Sequence, residues 1–189
     1  MSGQICGIDE AGRGCLAGPL CVAGCVLQRE IAGLADSKKL SEKRREELYA
    51  QITKNSRYKI VEISSAQVDE AGLSSCLRSA LEQILAYFAD FSGQIIYDGN
   101  VTFGVRGLQT LVKADAQIAE VSAASILAKV TRDREMLALE ARYPGYGFAT
   151  HKGYGTQAHL AALARLGATP EHRRSYAPVR AVVAQRTLF

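Results

Sequence analysis

Short apolar runs separated by glycine, proline and polar clusters set the rhythm of the first hundred residues. Ile5, Cys6 and Ile8 make one run, and residues 20–27 make a second that is entered through Gly18-Pro19. Both are bounded by turn formers and too short for helices, so they predict strands. Leu40, Leu48 and Ile52 then fall at helical spacing and predict a helix over 42–52. Its Lys43, Arg44, Arg45, Glu46 and Glu47 are the mixed charges of a solvated helix face. A third strand is expected over 58–63, followed by capping-box spacing at Ser64 and Gln67. After Gly72, an amphipathic helix places Leu77, Leu81, Ile84, Leu85 and Phe88 on one face. Strands over 94–97 and 107–112 precede a small-residue helix over 120–129 that continues in some form to Tyr143-Pro144. Two more helices close the chain. One carries Leu160, Leu163 and Leu166 and stops at Gly167; the other runs through Val179, Val182 and Val183.

Three of these strands finish on acids: Asp9-Glu10, Asp98, and Asp115 after Lys113-Ala114. Adjacent carboxylates repel, and on one strand their side chains point to opposite faces, so Asp9-Glu10 has no obvious structural purpose. Asp98-Gly99-Asn100 taken alone is equally good turn chemistry. Taken together, the three ends carry more weight. Strand ends of an α/β sheet lie side by side, and ligands bind there. Four carboxylates at one such edge require cations among them, which is the demand of a Mg²⁺-type site of hard oxygen ligands. Gly12-x-Gly14-x-x-Ala17 also fits a dinucleotide fingerprint, but that motif must open a helix. Here it leads into the glycine-containing strand at 20–27.

With 189 residues, 48% hydrophobic and 22% charged, the chain has the make-up of one globular domain, or one with a small C-terminal addition. No apolar run approaches the ~20 residues that span a bilayer, and no signal segment follows Met1, so a cytoplasmic protein without membrane contact is expected. Cys6, Cys15, Cys21, Cys25 and Cys76 form no C-x-x-C pair, which favours reduced, buried thiols. Charge is uneven. Residues 129–189 hold ten Lys/Arg against four Asp/Glu, whereas residues 1–128 hold thirteen against fifteen. A basic final third beside a site made of acids suggests a bound polyanion. Its loops interleave glycine, aromatic and basic residues around Tyr146, His151, Lys152, Tyr154, His172, Arg173 and Arg174, which suits stacking on bases and contact with phosphates.

Asp9-Glu10-Ala11-Gly12-Arg13-Gly14, Asp36-Ser37-Lys38-Lys39-Leu40, Tyr97-Asp98-Gly99-Asn100, Lys113-Ala114-Asp115, the segment from Ser122 to Val130, His151-Lys152-Gly153-Tyr154 and His172-Arg173-Arg174-Ser175 occur in one order along the chain. In this the sequence resembles bacterial ribonuclease HII. The resemblance implies a ribonuclease H-like α/β fold: a mixed five-stranded sheet flanked by helices, with a catalytic domain over 1–143 and a small helical, substrate-binding extension over 144–189. It implies that Asp9, Glu10, Asp98 and Asp115 bind two Mg²⁺ or Mn²⁺ ions and carry catalysis. It further implies that Gly12, Arg13, Gly14 and Tyr154 sense a ribonucleotide, with Lys38, Lys39, Lys152, Arg173 and Arg174 at phosphates. Histidines 151, 159 and 172 are then phosphate contacts or structure. Ala114 stands where Gly is usual in the family and Cys15 where Pro is common.

The activity so implied is endonucleolytic hydrolysis of the RNA strand of RNA–DNA hybrids and nicking 5′ of single ribonucleotides in duplex DNA. It would leave 5′-phosphate and 3′-hydroxyl ends and serve ribonucleotide and RNA primer removal. The 2′-hydroxyl is the group that separates RNA from DNA at a given position. A monomer is expected, and Gln185-Arg186-Thr187-Leu188-Phe189 faintly resembles a replication-clamp motif. Two other readings share parts of the pattern. A non-catalytic hybrid-binding module would keep the basic loops but not need the acids. Another nuclease or integrase of the same fold would keep the acids without the Gly-Arg-Gly and Gly-Tyr pair.

Overall fold

A computed structural model of the chain describes residues 4–34 and 40–186. Lys38 and Lys39 lie outside the described residues. The strands are β1 (Ile5–Ala11), β2 (Leu20–Leu27), β3 (Ser56–Ile63), β4 (Gln94–Asp98) and β5 (Gln109–Leu111). They form one sheet in the order β3-β2-β1-β4-β5. β1 runs antiparallel to β2 and parallel to β4, and β4 runs parallel to β5, so the sheet is mixed. The helices are α1 (Glu42–Asn55), α2 (Ser65–Ala71), α3 (Leu73–Tyr87), α4 (Ala119–Arg142), α5 (Phe148–His151), α6 (Gln157–Leu166) and α7 (Ala177–Arg186).

The chain packs as two compact units. The first comprises Met1–Ala11, Cys21–Glu62 and Leu77–Val130; the second comprises Gly12–Leu20, Ile63–Cys76 and Thr131–Phe189. Neither is a continuous stretch, so this division differs from a single cut after residue 143. The second unit recruits the Gly12 loop and α2 because buried arginines bond to the loop, and Asp69 of α2 bonds to the segment after Arg173.

In the first unit the register of β1 decides which side chains share a face. Gly7 pairs with Cys25 and Asp9 with Ala23, while Ile8 pairs with Gly24 and with Tyr97. Side chains alternate along a strand, so Asp9 shares the face of Gly7, Ala23 and Cys25, and Glu10 shares the face of Ile8, Gly24 and Tyr97. Cys21, Ala23 and Cys25 pack with Leu48 and Ile52 of α1 and with Ala123, Ala124, Ile126, Leu127 and Val130 of α4. Gly24 approaches Ile84 and Phe88 of α3 instead. α1 and α4 therefore cover one face and α3 the other. Gly7 is obligatory in this arrangement, since a Cβ there would lie 2.2 Å from the backbone carbon of Glu120.

α4 is one 24-residue helix, longer than the apolar pattern over 120–129 suggests. The pattern breaks because fully buried Arg132 and buried Asp133 occupy core positions beyond Val130. Met136 and Leu139 then resume the buried face. The predicted capping box forms, with the Ser64 hydroxyl accepting from the Gln67 amide and the Gln67 side chain accepting from the Ser64 amide. All five cysteines are buried, and burial pushes the Cys6 and Cys25 thiols up to about 12. No helix among the described residues is long and apolar enough to cross a membrane.

Candidate active site

The acids converge at the ends of β1 and β4 and on the turn beyond β5. Asp9 is almost fully buried on the α4 face. Asp98 ends β4, and its Oδ1 accepts from the Ala114 amide at 3.0 Å. That bond fixes the segment beyond β5, where Lys113 adopts a left-handed conformation (φ 57°) and starts the short 3-10 turn Ala114–Ala116. Asp115, on that turn, is 3% exposed. Each of Asp9, Asp98 and Asp115 offers an oxygen within 4.8 Å of the other two.

Such crowding is costly for three anions. Burial first, then the neighbouring Glu10 charge, and less strongly Asp98, push the Asp9 carboxyl up to about 8. Hydrogen bonds from the Ser125 side chain and from the Glu10 amide, the latter 2.8 Å from Oδ1, lower it only in part. Burial and like charges that disfavour the carboxylate would be offset by a cation placed beside it. Three hard oxygens in hand, with no nitrogen or sulfur ligand among them, suit Mg²⁺ or Mn²⁺. The residues present therefore fit a divalent metal.

Glu10 does not join this group. As its register requires, its side chain lies on the α3 face, where Oε2 accepts from the Tyr97 hydroxyl at 2.6 Å. The structure thus brings together three of the four expected carboxylates and holds the fourth on the opposite face of the same strand end.

In the second unit the remaining expected residues fall into two sets. Arg13, Gly14, Arg174 and Tyr154 are exposed, and Lys152 is half-buried. Tyr154 lies beneath the Arg132 guanidinium, whose central carbon is 5.8 Å from the ring centroid. Arg173, expected at a phosphate, is instead fully buried. Its guanidinium donates to the carbonyls of Gly18 (3.0 Å) and Arg13 (3.1 Å), and Tyr176 donates to the Arg13 carbonyl as well. Every donor engaged by a carbonyl is lost to a phosphate, so Arg173 shapes the Gly12 loop from inside. The backbone amides of Arg174 and Ser175 are in turn held by Asp69.

Arg132, which composition and spacing did not single out, has the same task. It donates to the carbonyls of Pro19 (2.9 Å), Ala17 (3.1 Å) and Lys152 (2.8 Å), so it ties the Gly12 loop to the Lys152-Gly153-Tyr154 turn. Gly12 has φ 93°, and a Cβ there would meet the Arg132 Nε at 2.1 Å. Its only advance signal is an arginine set within the apolar stripe of a helix.

The histidines are structural. The Tyr154 carbonyl, 2.9 Å from His159 Nδ1, can only accept, so Nδ1 carries the proton and Nε2 of the neutral ring accepts. His172 Nε2, 3.1 Å away, must then donate, which leaves its Nδ1 to accept from the Thr169 amide. Both rings are neutral in this arrangement. Burial first, then the His159 ring, hold His172 down at about 4, and burial lowers His159 as well.

A mixed five-stranded sheet with three aspartates gathered at two strand ends and the turn beyond a third defines a ribonuclease H-like, metal-dependent hydrolase. Comparison with known proteins narrows the class. The Ribonuclease HII family profile matches residues 6–179. The chain is 58% identical to "Ribonuclease HII" of Campylobacter concisus over 98% of its own length and 99% of that protein's. Among solved structures, it is similar to the chain in "Structure of the PCNA:RNase HII complex from Archaeoglobus fulgidus", with 29% identity, TM-score 0.80, and 94% and 96% of the two chains covered. It shares the fold of Bst-RNase HIII, solved in complex with Mn²⁺, at 20% identity and TM-score 0.78 over 100% of this chain and 71% of that one. The chain belongs to the Ribonuclease HII family, whose members are metal-dependent endoribonucleases of the type 2 ribonuclease H class.

Proposed function

We propose that this protein cleaves the RNA strand of RNA–DNA hybrids and nicks duplex DNA 5′ of a single embedded ribonucleotide, leaving 5′-phosphate and 3′-hydroxyl ends. Its role is then ribonucleotide and RNA primer removal. The observation that carries the reading is the convergence of Asp9, Asp98 and Asp115 within 4.8 Å at the strand ends. These three, with Glu10, are the residues that would hold two Mg²⁺ or Mn²⁺ ions. Bound there, the ions supply an activated water and stabilisation of charge on the departing 3′ oxygen.

The chain's own residues do the rest. Asp9 yields its proton when a cation arrives, because the ligating form is the carboxylate. Ser125 donates to Asp9 and the Ala114 amide to Asp98, so the ligand oxygens are oriented before any ion binds. Directly after Ala11 the chain enters Gly12-Arg13-Gly14. A Cβ at Gly14 would meet nothing within 4 Å, so its backbone is open to a close-approaching sugar. Gly12, Arg13, Gly14 and Tyr154 are the proposed readers of the 2′-hydroxyl; Lys152 and Arg174 are proposed phosphate contacts, joined by Lys38 and Lys39. The division of labour places catalysis in residues 1–143 and substrate grip in 144–189, with the Gly12 loop serving the second task. The protein acts as a monomer, and its last residues, from Gln185 onward, are proposed to touch a sliding clamp.

A duplex with one embedded ribonucleotide, incubated with Mg²⁺ or Mn²⁺ and resolved on a denaturing gel, tests the reading. One nick 5′ of the ribonucleotide is expected, and none with chelator or with Asp9→Asn. An intact duplex in the presence of metal sinks it.

A further inference from the structure

Glu10 has a partner that the acid motif does not foreshadow. Tyr97 precedes Asp98 on β4 and is 1% exposed, its ring held edge-on against Phe103 at 6.4 Å between centroids. The parallel pairing of Ile8 with Tyr97 puts Tyr97 on the same face as Glu10, and its hydroxyl meets Oε2 at 2.6 Å. That length is in the range of hydroxyl bonds to an ionised carboxylate, which are shorter and stronger than neutral ones.

We propose that Tyr97 is the positioning residue for Glu10 and sets its carboxylate for metal binding. The inference rests on the reading of Glu10 as a metal ligand. A glutamate at a strand end has three side-chain torsions, and its free rotamers spread the carboxylate over several positions. The buried ring of Tyr97 cannot follow it, so the bond anchors one oxygen to the rigid sheet and fixes the bearing of the group. The donor chemistry is also apt. A lysine or arginine would anchor the carboxylate equally well but would cancel the negative charge that attracts a cation. A phenol orients the anion and leaves its charge intact.

The test is Tyr97→Phe, which keeps the ring and removes one oxygen. Mn²⁺ binding to the metal-free protein is measured by calorimetry or by the spin resonance of the free ion, alongside kcat, KM and the thermal midpoint. Mn²⁺ affinity is expected to fall about tenfold, as for other residues that orient metal ligands. KM for the ribonucleotide-bearing duplex at saturating metal should stay unchanged, and so should the fold. A cycle with Glu10→Gln separates positioning from packing. If Tyr97 acts through Glu10, Tyr97→Phe has no further effect in the Glu10→Gln background. Wild-type Mn²⁺ affinity in Tyr97→Phe overturns the inference, as does an equal loss in both backgrounds. Asp9→Asn run in parallel keeps the two readings apart: if it still cuts, the metal-site reading itself has failed, whereas an inactive Asp9→Asn beside an unaltered Tyr97→Phe removes Tyr97 alone.

Discussion

The aspartate cluster of the first unit and the arginine–histidine cluster of the second bury polar groups by opposite means. Around Asp9, like charges crowd one another, and the few internal donors leave its carboxyl near 8. Around Arg132 and Arg173, cationic donors meet backbone carbonyls, and the histidines form a relay of neutral rings that ends on the Tyr154 carbonyl. In the first, the surroundings disfavour the charged form of Asp9; in the second, the rings and guanidiniums meet their acceptors. A buried acid whose charged form is disfavoured favours a cation beside it, whereas a satisfied network marks a scaffold.

The largest expected effect breaks the first cluster. Asp9→Asn, Asp98→Asn or Asp115→Asn should each slow ribonucleotide-directed nicking by ~10³-fold or more, the rate equivalent of several kcal/mol of lost charge stabilisation. At pH 8.5 and without metal, Asp9→Asn should be no less stable than the parent, because one repelling charge has gone. Urea unfolding of metal-free protein checks this, and a clear loss of stability would show that the aspartates are structural.

Arg132→Met should do the reverse. It leaves the carbonyls of Pro19, Ala17 and Lys152 without their donor, at roughly 1–3 kcal/mol for each group that finds no water. Unfolding in urea should show a loss of that order while the metal-free protein retains its Mn²⁺ affinity. Gly12→Ala belongs with it, because φ 93° and the Arg132 Nε both oppose a Cβ. Gly14→Ala, where a Cβ has open space, should leave stability within about 1 kcal/mol and impair cutting only.

The two clusters should also respond to pH with opposite sign. The Asp9 carboxyl is raised on folding, so its contribution to stability is present below its ordinary value near 4 and is lost as pH rises through about 8. Added Mg²⁺ should therefore raise the melting temperature more at pH 8.5 than at pH 6. The His172 imidazole is lowered on folding, so its contribution is present above 6.5 and is lost as pH falls through about 4. Melting temperatures between pH 4 and 7 should flatten in His172→Gln, and an unchanged slope would refute the neutral relay. The smallest effect is at the surface. Arg174→Ala should leave stability untouched and lower the salt dependence of duplex binding by about one phosphate contact.

The strands, the capping box and the amphipathic α3 follow from apolar spacing and local capping, which are written in consecutive residues. The three aspartates are legible too, as acids at the ends of predicted strands. The acid motif groups Glu10 with them, although strand alternation sends its side chain to the other face. Arg173 reads as a surface cation, since no pattern in its neighbours shows that the carbonyls of Gly18 and Arg13, some 155 to 160 residues earlier, would occupy its donors. The partners of Ser125 and of the Tyr97 hydroxyl are hidden in the sequence for the same reason, and Arg132 is marked only as an arginine within an apolar stripe.

What the sequence determined by itself, then, was the order of elements, the chemistry available at each strand end and the family. The tertiary structure decided which acids face one another, which cation is engaged inside and which tyrosine holds Glu10. The physical reason is range. Propensity, periodicity and capping act over a few residues, but the state of a buried charge depends on whichever distant groups the folded chain sets within about 3 Å of it.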